Sequence, residues 1–216
     1  MQSDRVVVRL ADAVVMSGGF PLLSGVDLQI VHGSLNVVTG ANGAGKTSLL
    51  RLLGGLDALT SGSGEVAGID LALGDLRLLR RRVGWLGHDG SFYADLSVRE
   101  NLVFAARALG RPVEGVAAAL ERVGLAHRLD TITKQLSAGQ RRRMGLAWLL
   151  VRRPELWLLD EPYASLDDAG REFFDQLLGD VLVAGATVVV SAHDPLRSSE
   201  LSPRTLHMVG GRVLGP

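Results

Sequence analysis

The stretch L-N-V-V-T-G-A-N-G-A-G-K-T, Leu35 to Thr47, decides the fold of this 216-residue chain. It opens with an apolar, β-branched run that predicts a buried strand, and it continues into a loop with glycine at positions 40, 43 and 45. The residues that follow, K-T-S-L-L-R-L-L, have the leucine spacing of a helix. A strand, a glycine loop ending in G-K-T and a helix, in this order, predict a phosphate-binding loop.

The chemistry of this loop follows from its residue types. Glycines let the backbone N–H groups turn toward phosphate oxygens, and the start of the next helix adds the positive end of its dipole. Lys46, which shares the chain with only one other lysine, would bridge the terminal phosphates of a nucleotide, while the Thr47 hydroxyl would bind Mg²⁺. The alternative is a glycine-rich turn with a solvated lysine, and the complete pattern argues against it. The predicted phosphate contacts are Gly40, Ala41, Asn42, Gly43, Ala44, Gly45, Lys46, Thr47 and Ser48.

A second stretch, L-W-L-L-D-E at Leu156 to Glu161, narrows the chemistry. Its apolar residues predict a strand that ends in two carboxylates. Asp160 would hold Mg²⁺ together with Thr47, and Glu161 would polarise an attacking water. Acidic residues at the solvent end of a strand are common in isolation, but their combination with the phosphate-binding loop favours nucleotide hydrolysis.

Composition limits the other possibilities. The chain has 23 basic and 23 acidic residues, so no global charge attracts nucleic acid or an anionic membrane, and we expect no nucleic acid partner. The absence of cysteine excludes disulfides, thiolate catalysis and cysteine-type metal sites. No signal peptide pattern opens the sequence, and no apolar run reaches the roughly 18 residues of a spanning helix. We therefore expect a cytoplasmic protein that only another chain could anchor at a membrane.

The rest of the sequence alternates between strand and helix patterns. Strands are predicted at Val6 to Leu10, Val26 to Val31, Leu35 to Thr39, Leu156 to Asp160, Thr187 to Ala192 and Thr205 to Val209. Helices are predicted at Lys46 to Gly55, Ser97 to Leu109, Val113 to Gly124, Ala138 to Val151 and Asp168 to Val183. The alternation predicts an α/β fold with a mostly parallel central sheet, and the strands crowded before Leu35 predict an antiparallel flank.

The middle third of the chain, Phe92 to Gly124, shows helical patterns and no convincing strand. We therefore expect a helical subdomain at about 90–150, inserted into a single domain that spans residues 1–216. The stretch T-S-G-S-G-E, Thr60 to Glu65, is interpreted as a plain turn.

A second small-residue loop, L-S-A-G-Q, occupies Leu136 to Gln140. Ser137 and Gln140 form a capping-box pattern, as do Ser97 and Glu100 upstream. Taken alone, the loop is a helix cap at an end that can also bind an anion. Its place between the helical subdomain and the acidic strand favours a role beside the nucleotide.

Five motifs in fixed order resemble the nucleotide-binding domain of ABC ATPases. They are G-A-N-G-A-G-K-T, L-S-A-G-Q, L-W-L-L-D-E-P, A-S-L-D and S-A-H, and together they cover nearly the whole chain. The resemblance implies a P-loop NTPase fold and hydrolysis of ATP with Mg²⁺. It also implies that two chains, expected to form a homodimer, enclose two ATP molecules head to tail.

The resemblance assigns roles residue by residue. Ser137, Gly139 and Gln140 would contact the ATP held by the phosphate-binding loop of the partner subunit. Asp167 of A-S-L-D would be the aspartate of the dimer contact beside the shared nucleotide, and it can also cap the next helix.

The catalytic residues implied by the resemblance are Lys46, Glu161 and His193. Glu161 would be the general base that activates water, and His193 of S-A-H would be the switch histidine that contacts the γ-phosphate. His193 follows an apolar strand, and the carboxyl ends of strands are where ligands collect in α/β sheets.

Two positions depart from the family pattern. His88 stands where the family has a glutamine that contacts Mg²⁺ and links the nucleotide site to the transmembrane partner. Because histidine is a poor ligand for hard Mg²⁺, the linking role is the one expected to survive. The aromatic that stacks on adenine is expected near Ser17, and the nearest candidate, Phe20, is either that contact or a core residue.

Within the family, W-L-G-H at Trp85 to His88, the short chain and the missing adenine aromatic resemble the haem-exporter ATPase of cytochrome c maturation. This implies a motor subunit on the cytoplasmic face of the inner membrane that drives a separate transmembrane permease subunit in haem export. The alternatives are an ABC exporter ATPase for a drug, lipid or peptide, a soluble ABC mechanoenzyme acting on nucleic acid or ribosomes, and a nucleotide-binding regulator.

Overall fold

A computed structural model describes residues 5–87, 92–164, 166–192 and 201–214. The strands are β1 (Val6–Ser17), β2 (Phe20–Val31), β3 (Leu35–Thr39), β4 (Ser61–Val66), β5 (Ile69–Asp70), β6 (Val83–Leu86), β7 (Leu156–Asp160), β8 (Thr187–Ser191), β9 (Arg204–Val209) and β10 (Arg212–Leu214). The helices are α1 (Lys46–Leu53), α2 (Leu76–Arg82), α3 (Val98–Ala108), α4 (Gly115–Arg122), α5 (Ala138–Arg152) and α6 (Asp168–Val183), with short 3₁₀ turns at Ala126–Arg128 and Thr133–Gln135.

The chain divides into two compact units. The first combines residues 1–85 with residues 155–216, and the second comprises residues 86–154. In the part of the chain that the structure describes, no helix is long and apolar enough to cross a bilayer.

The larger sheet has six strands in the order β10-β9-β3-β8-β7-β6. Strand β3 runs parallel to both β8 and β9, β7 runs parallel to β8, and β10 pairs antiparallel with β9. Every residue of β3, β7 and β8 is buried, because these strands lie in the interior of the sheet and are covered on both faces. The predicted mostly parallel sheet is confirmed.

The smaller sheet is the predicted antiparallel flank, with four strands in the order β2-β1-β4-β5. The interpretation of Thr60 to Glu65 as a plain turn is wrong, because Ser61–Val66 forms strand β4 against β1. Its glycines serve close packing rather than turning. A Cβ on Gly62 would lie 2.1 Å from the carbonyl oxygen of Asp12, and a Cβ on Gly64 would lie 2.8 Å from a methyl group of Leu71.

The hydrophobic core of the first unit lies around α1, whose leucines Leu49, Leu50, Leu52 and Leu53 are fully buried. Residues of both sheets complete it, including Val8, Leu23, Val38, Leu158 and Met208. Since α1 begins at the end of the phosphate-binding loop, burial of its leucines fixes the direction in which that loop leaves β3.

The second unit is helical, and α5 packs against both α3 and α4. Its fully buried side chains include Leu102, Leu120 and Met144. A buried amide, Asn101, ties the start of the unit together, since its Nδ2 donates to the carbonyl oxygens of Tyr93 and Ser97 and to the Thr133 hydroxyl. The unit therefore has a polar tie of its own in addition to its apolar core.

The predicted helices are all present, with ends that differ by up to two residues, and strands β3 and β7 and helix α6 have the predicted bounds. Sequence reasoning missed the short elements β5, α2, β6 and β10. These elements have two to seven residues, too few to show a hydrophobic period.

Candidate functional site

The phosphate-binding loop leaves β3 at its carboxyl end and returns as α1. Gly40, Gly43 and Gly45 have φ angles of 145°, 77° and 104°, which only glycine adopts without strain. A Cβ on Gly40 would lie 2.4 Å from the carbonyl oxygen of Met208 in β9. The backbone of this loop is therefore pressed against the neighbouring strand, and its shape depends on these three glycines.

The hairpin formed by β9 and β10 is hydrogen-bonded to the phosphate-binding loop. The Gly211 N–H, in the turn between β9 and β10, donates to the carbonyl oxygen of Ala44 at 2.9 Å. The Ser24 N–H of β2 donates to the carbonyl oxygen of Gly211 at 2.9 Å. Backbone hydrogen bonds therefore link the loop to both sheets.

Helix α1 begins without a side-chain cap, because its N-cap residue is Gly45 in a left-handed conformation. Lys46 is the first helical residue and is only 5% exposed. Its Nζ donates to the carbonyl oxygens of Gly40 at 2.8 Å and Ala41 at 3.2 Å. A buried positive charge thus lies within the loop, and the loop residues Ala41, Asn42 and Gly43 are exposed.

The hydroxyl of Thr47, which follows Lys46 in α1, contacts the carboxylate of Asp160 at the end of β7. Thr47 Oγ1 lies 3.0 Å from Asp160 Oδ2 and 3.2 Å from Oδ1. Asp160 is 3% exposed. A hydroxyl and a carboxylate at this separation are hard oxygen donors of the kind Mg²⁺ prefers, so the residues present fit that ion.

Glu161 follows directly after β7, is half-buried and has a left-handed φ of 47°. Left-handed backbone is strained for a residue that carries a Cβ. Its N–H donates to Ser191 Oγ at 2.8 Å, and its carbonyl accepts from the Ala164 N–H at 3.1 Å. Hydrogen bonds on both sides of the residue hold this unusual conformation.

Ser191, the last residue of β8, is a site residue that sequence reasoning missed. It is fully buried, and its hydroxyl donates to Asp160 Oδ1 at 2.6 Å while accepting from Glu161 N–H. In the sequence, Ser191 is the first residue of the S-A-H motif, in which the predicted site residue is the histidine.

The turn after Glu161 is anchored to α6 through Tyr163. Its ring packs edge-on against Phe174 at 4.8 Å between centroids, and its hydroxyl donates to Asp175. Burial is the main cause that raises the pKa of Tyr163 above its usual range, and the hydrogen bond to Asp175 raises it further. The phenol therefore stays a neutral hydrogen-bond donor at any physiological pH.

The predicted capping box at the start of α5 is confirmed. Ser137 Oγ accepts from the Gln140 N–H at 3.2 Å, and Gln140 Oε1 accepts from the Ser137 N–H at 3.0 Å. Ser137 and Gly139 are exposed, and a Cβ on Gly139 would meet nothing within 4 Å. This loop lies in the second unit, whereas the phosphate-binding loop, Asp160 and Glu161 lie in the first.

The arginines that follow bind backbone within the second unit. Arg141 donates to the carbonyl oxygen of Leu136, and Arg143 donates to that of Val123 at 3.1 Å. Both therefore have local structural partners.

Asp167 caps α6, as the alternative interpretation predicted, because its carboxylate accepts from the Gly170 N–H at 2.8 Å.

The two histidines predicted for the site, His88 and His193, lie outside the described residues. Phe20 is 75% exposed, so its interpretation as a core residue is wrong and the adenine contact is the alternative that stays open.

An apolar groove of 430 Å³ lies within the second unit. Aromatic residues Phe92, Tyr93, Phe104 and Trp148 line it, and Tyr93 and Phe104 are 56% and 52% exposed. The Arg152 guanidinium stacks on Trp148 at 4.1 Å from the ring centroid, and burial lowers the pKa of this arginine. The helical unit thus presents an exposed aromatic surface with one stacked cation.

Comparison with known proteins gives consistent results. The family model described as ABC transporter matches residues 23–164. A cytochrome c biogenesis ATP-binding export protein CcmA of Rhodopseudomonas palustris is 40% identical over 83% of this chain and 88% of its own length. A protein named CcmA 2 from Cupriavidus metallidurans is 41% identical over 87% of this chain and 92% of its own length.

Solved structures share the fold. The ATP-binding cassette MJ0796, in a dimeric post-hydrolysis state with ADP and Pi, superposes with a TM-score of 0.87 and 26% identity over 95% of this chain and 96% of that one. A bacterial Atm1-family ABC exporter with ATP bound superposes with a TM-score of 0.84 and 24% identity, over 100% of this chain and 39% of that one.

Proposed function

The chain belongs to the ABC transporter family, and we propose that it is the ATP-hydrolysing subunit of an exporter that serves cytochrome c biogenesis. It is an ABC ATPase, a class that couples ATP hydrolysis to transport. The export role rests on relatives named for cytochrome c biogenesis, which are 40% and 41% identical and aligned over most of both chains. Haem is the cargo that we propose, as the sequence resemblance implied.

One observation carries the ATPase chemistry. The Thr47 hydroxyl and the Asp160 carboxylate meet at 3.0 Å, directly beside a glycine loop whose helix carries no side-chain cap. Backbone amides, one lysine and a pair of oxygen ligands are what MgATP requires. We therefore assign Gly40 to Ser48 to the phosphates, and Thr47 with Asp160 to Mg²⁺.

The residues around the γ-phosphate divide the work of hydrolysis. Lys46 and the loop amides would neutralise charge that develops on the transferred phosphoryl group. Mg²⁺, when bound by Thr47 and Asp160, would supply further charge neutralisation at the phosphate oxygens. Glu161 would take a proton from the attacking water, and His193 would help to position that water.

ABC ATPases dimerise and pair with transmembrane subunits. We assign this chain to a homodimer in which Ser137, Gly139 and Gln140 complete the ATP site of the partner, with Asp167 at the same boundary. The exposure of Ser137 and Gly139 supports this assignment. Residues 1–216 would then act as one nucleotide-binding domain, with the helical subdomain at about 90–150.

The aromatic groove of the helical unit is the surface that we assign to the transmembrane permease subunit. Exposed Tyr93 and Phe104 beside the stacked pair Trp148 and Arg152 suit an apolar segment with a polar end. We also propose, from the sequence resemblance, that the loop around His88 helps to transmit motion to this subunit. Such a contact would hold the chain on the cytoplasmic face of the inner membrane.

The ATPase assignment is tested by Glu161→Gln, with Glu172→Gln on the exposed surface of α6 as the matched control. The amide cannot accept a proton from water, so this variant should bind ATP, stop hydrolysing it and accumulate as an ATP-bound dimer. Size-exclusion chromatography with ATP and a phosphate-release assay report both effects. Undiminished turnover in Glu161→Gln would refute the assigned base.

The export role is tested in the native host with the same two variants. Haem-stained gels should show the loss of c-type cytochromes in the Glu161→Gln strain and normal levels in the Glu172→Gln strain. The complex isolated in mild detergent should retain a multi-span membrane protein. Normal c-type cytochromes in both strains would reject cytochrome c biogenesis and leave the ATPase assignment standing.

A further inference from the structure

We propose that Ser191 is a positioning residue for ATP hydrolysis, because its single hydroxyl fixes both the Mg²⁺-binding carboxylate and the backbone of the general base. This role rests on the proposed function, since it assumes that Asp160 and Glu161 serve MgATP. Ser191 itself would touch neither nucleotide nor water.

Strand register brings Ser191 to the site. In the parallel pair β7–β8, Asp160 is the register partner of Ser191, and both residues end their strands. Register partners on neighbouring strands project from the same face of a sheet. A short side chain at position 191 therefore meets the carboxylate at hydrogen-bond distance, which is 2.6 Å here.

The direction of both hydrogen bonds is fixed. A serine hydroxyl has one proton to donate, and a carboxylate can only accept, so that proton goes to Asp160 Oδ1. The oxygen lone pairs are then directed elsewhere, and one of them receives the Glu161 N–H at 2.8 Å. Since Ser191 is fully buried, water has no ready access to replace either bond.

The second bond matters because Glu161 has strained backbone. Its left-handed φ of 47° sets the direction in which the side chain leaves the strand end. The bond from Glu161 N–H to Ser191 Oγ holds the residue in that conformation. Loss of the hydroxyl would remove one of the restraints on the Asp160 carboxylate, which then keeps its bond from Thr47, and would take from the Glu161 N–H its acceptor on Ser191. Metal binding and the placement of the base would therefore deteriorate together.

Ser191 makes no contact with the glycine loop or Lys46 among the hydrogen bonds of the described residues. The structure therefore separates two effects. Phosphate binding by the loop should survive the removal of the hydroxyl, while every property that depends on Mg²⁺ should suffer.

The test compares Ser191→Ala with Thr187→Val in the full-length chain. Thr187 is the matched control because it is a fully buried hydroxyl residue at the opposite end of the same strand, where it accepts from the Gly33 N–H at 3.0 Å. Thermal unfolding is first used to check that both variants are folded. A fluorescent ATP analogue, titrated in EDTA and in increasing Mg²⁺, then reports binding without any need for turnover.

In Ser191→Ala, nucleotide affinity in EDTA should equal that of the wild type, whereas the apparent Mg²⁺ affinity and kcat should each fall roughly 10- to 100-fold, the usual effect of losing a group that orients a metal ligand. Thr187→Val should match the wild type in both titrations. Ser191→Thr, which keeps the hydroxyl, should restore the Mg²⁺ response. Ser191→Cys keeps the volume with a weaker donor and should give an intermediate response, which covers the case that the threonine methyl group does not fit.

Wild-type Mg²⁺ dependence and kcat in Ser191→Ala would overturn the role of Ser191, as would equal losses in Thr187→Val. A loss of affinity in EDTA as large as in Mg²⁺ would also overturn it, because the defect would then lie in the phosphate loop. A wild-type chain that binds no nucleotide would instead overturn the proposed function, and the role of Ser191 with it.

Discussion

Helices α1 and α5 both begin at a small-residue loop that sequence analysis connects with phosphate, yet their first turns are built in opposite ways. Helix α1 starts at Gly45 with left-handed backbone and no side-chain cap. Helix α5 starts at Ser137 with a complete capping box, in which Ser137 and Gln140 satisfy each other's backbone N–H groups. The first helix start is open to a ligand, whereas the second is closed on itself.

The difference teaches what each loop can do alone. An uncapped helix start has N–H groups that a phosphate can satisfy, so we expect the loop of α1 to bind phosphate without the other loop. In the capped start the N–H groups of Ser137 and Gln140 already have partners, so the loop of α5 is held in shape in the free chain and offers an exposed serine and glycine to another molecule. This contrast fits a binding loop in one subunit and a completing loop in the other.

The largest expected effect distinguishes the two lysines of the chain. Lys46→Ala removes the buried charge from the loop of α1 and should weaken ATP binding at least about 100-fold, which corresponds to about 3 kcal/mol. Lys134→Ala is the control, since Lys134 lies in the second unit and forms an exposed ion pair with Asp95. Isothermal calorimetry measures both affinities. Similar losses in the two variants would break the comparison, because the second unit would then bind ATP directly.

A pair of glycine substitutions distinguishes the two loops by backbone. Gly45→Ala should destabilise the chain by roughly 1–2 kcal/mol and impair ATP binding, because alanine is strained at a left-handed φ. Its Cβ would also lie 3.0 Å from the carbonyl oxygen of Leu22.

Gly139→Ala should instead raise stability by up to about 1 kcal/mol, because alanine favours a helix and the Cβ enters open space. Gly139→Ala should leave ATP binding by the single chain unchanged and should reduce hydrolysis by the dimer, in which two chains must close on ATP. Urea unfolding measures the change in unfolding free energy of the two variants, and calorimetry measures the change in ATP affinity. Equal destabilisation of both variants would contradict the difference proposed between the two loops.

Removing the serine N-caps should have a smaller effect on stability, and it tests whether Ser137 does more than cap a helix. Ser137→Ala and Ser97→Ala each remove the N-cap of a capping box in the second unit, and each should cost about 1 kcal/mol of unfolding free energy. ATP hydrolysis by the assembled dimer should fall in Ser137→Ala alone. Equal turnover in both variants would reduce Ser137 to a helix cap.

The smallest effect is a pH dependence that differs between the two capping boxes. Hydrogen bonds from the Ser97 backbone and hydroxyl lower the pKa of Glu100, whereas the other box contains the uncharged Gln140. A carboxyl whose pKa is lowered by folding adds stability above its unfolded-state pKa and loses that contribution as pH falls through the folded value.

Acid should therefore weaken the start of α3 and not that of α5. Urea unfolding across the acid range should show less pH dependence in Glu100→Gln and more in Gln140→Glu, each relative to the wild type. No change in either variant would contradict the assignment.

How much the sequence predicted depended on whether the cause was local. Some features are determined by residues close together in the sequence, and each of these was predicted. They are the glycine loop, both capping boxes and the buried strands β3 and β7. Strand β4 was missed because S-G-S-G-E-V looks like a turn, and only the long partner β1 makes it a strand. Ser191 was missed because its importance comes from its register with Asp160, which no local pattern encodes.

The strand that carries the phosphate-binding loop has its neighbours at the far end of the chain. Strand β3 lies between β8 and β9, and the turn after β9 binds Ala44 of the loop. On the ribosome, the loop is therefore synthesised early and waits for nearly the whole protein before its sheet can form. We expect a nascent chain to acquire ATP affinity only when its last strands have emerged, so the nucleotide would bind and stabilise finished molecules and leave truncated ones to proteases.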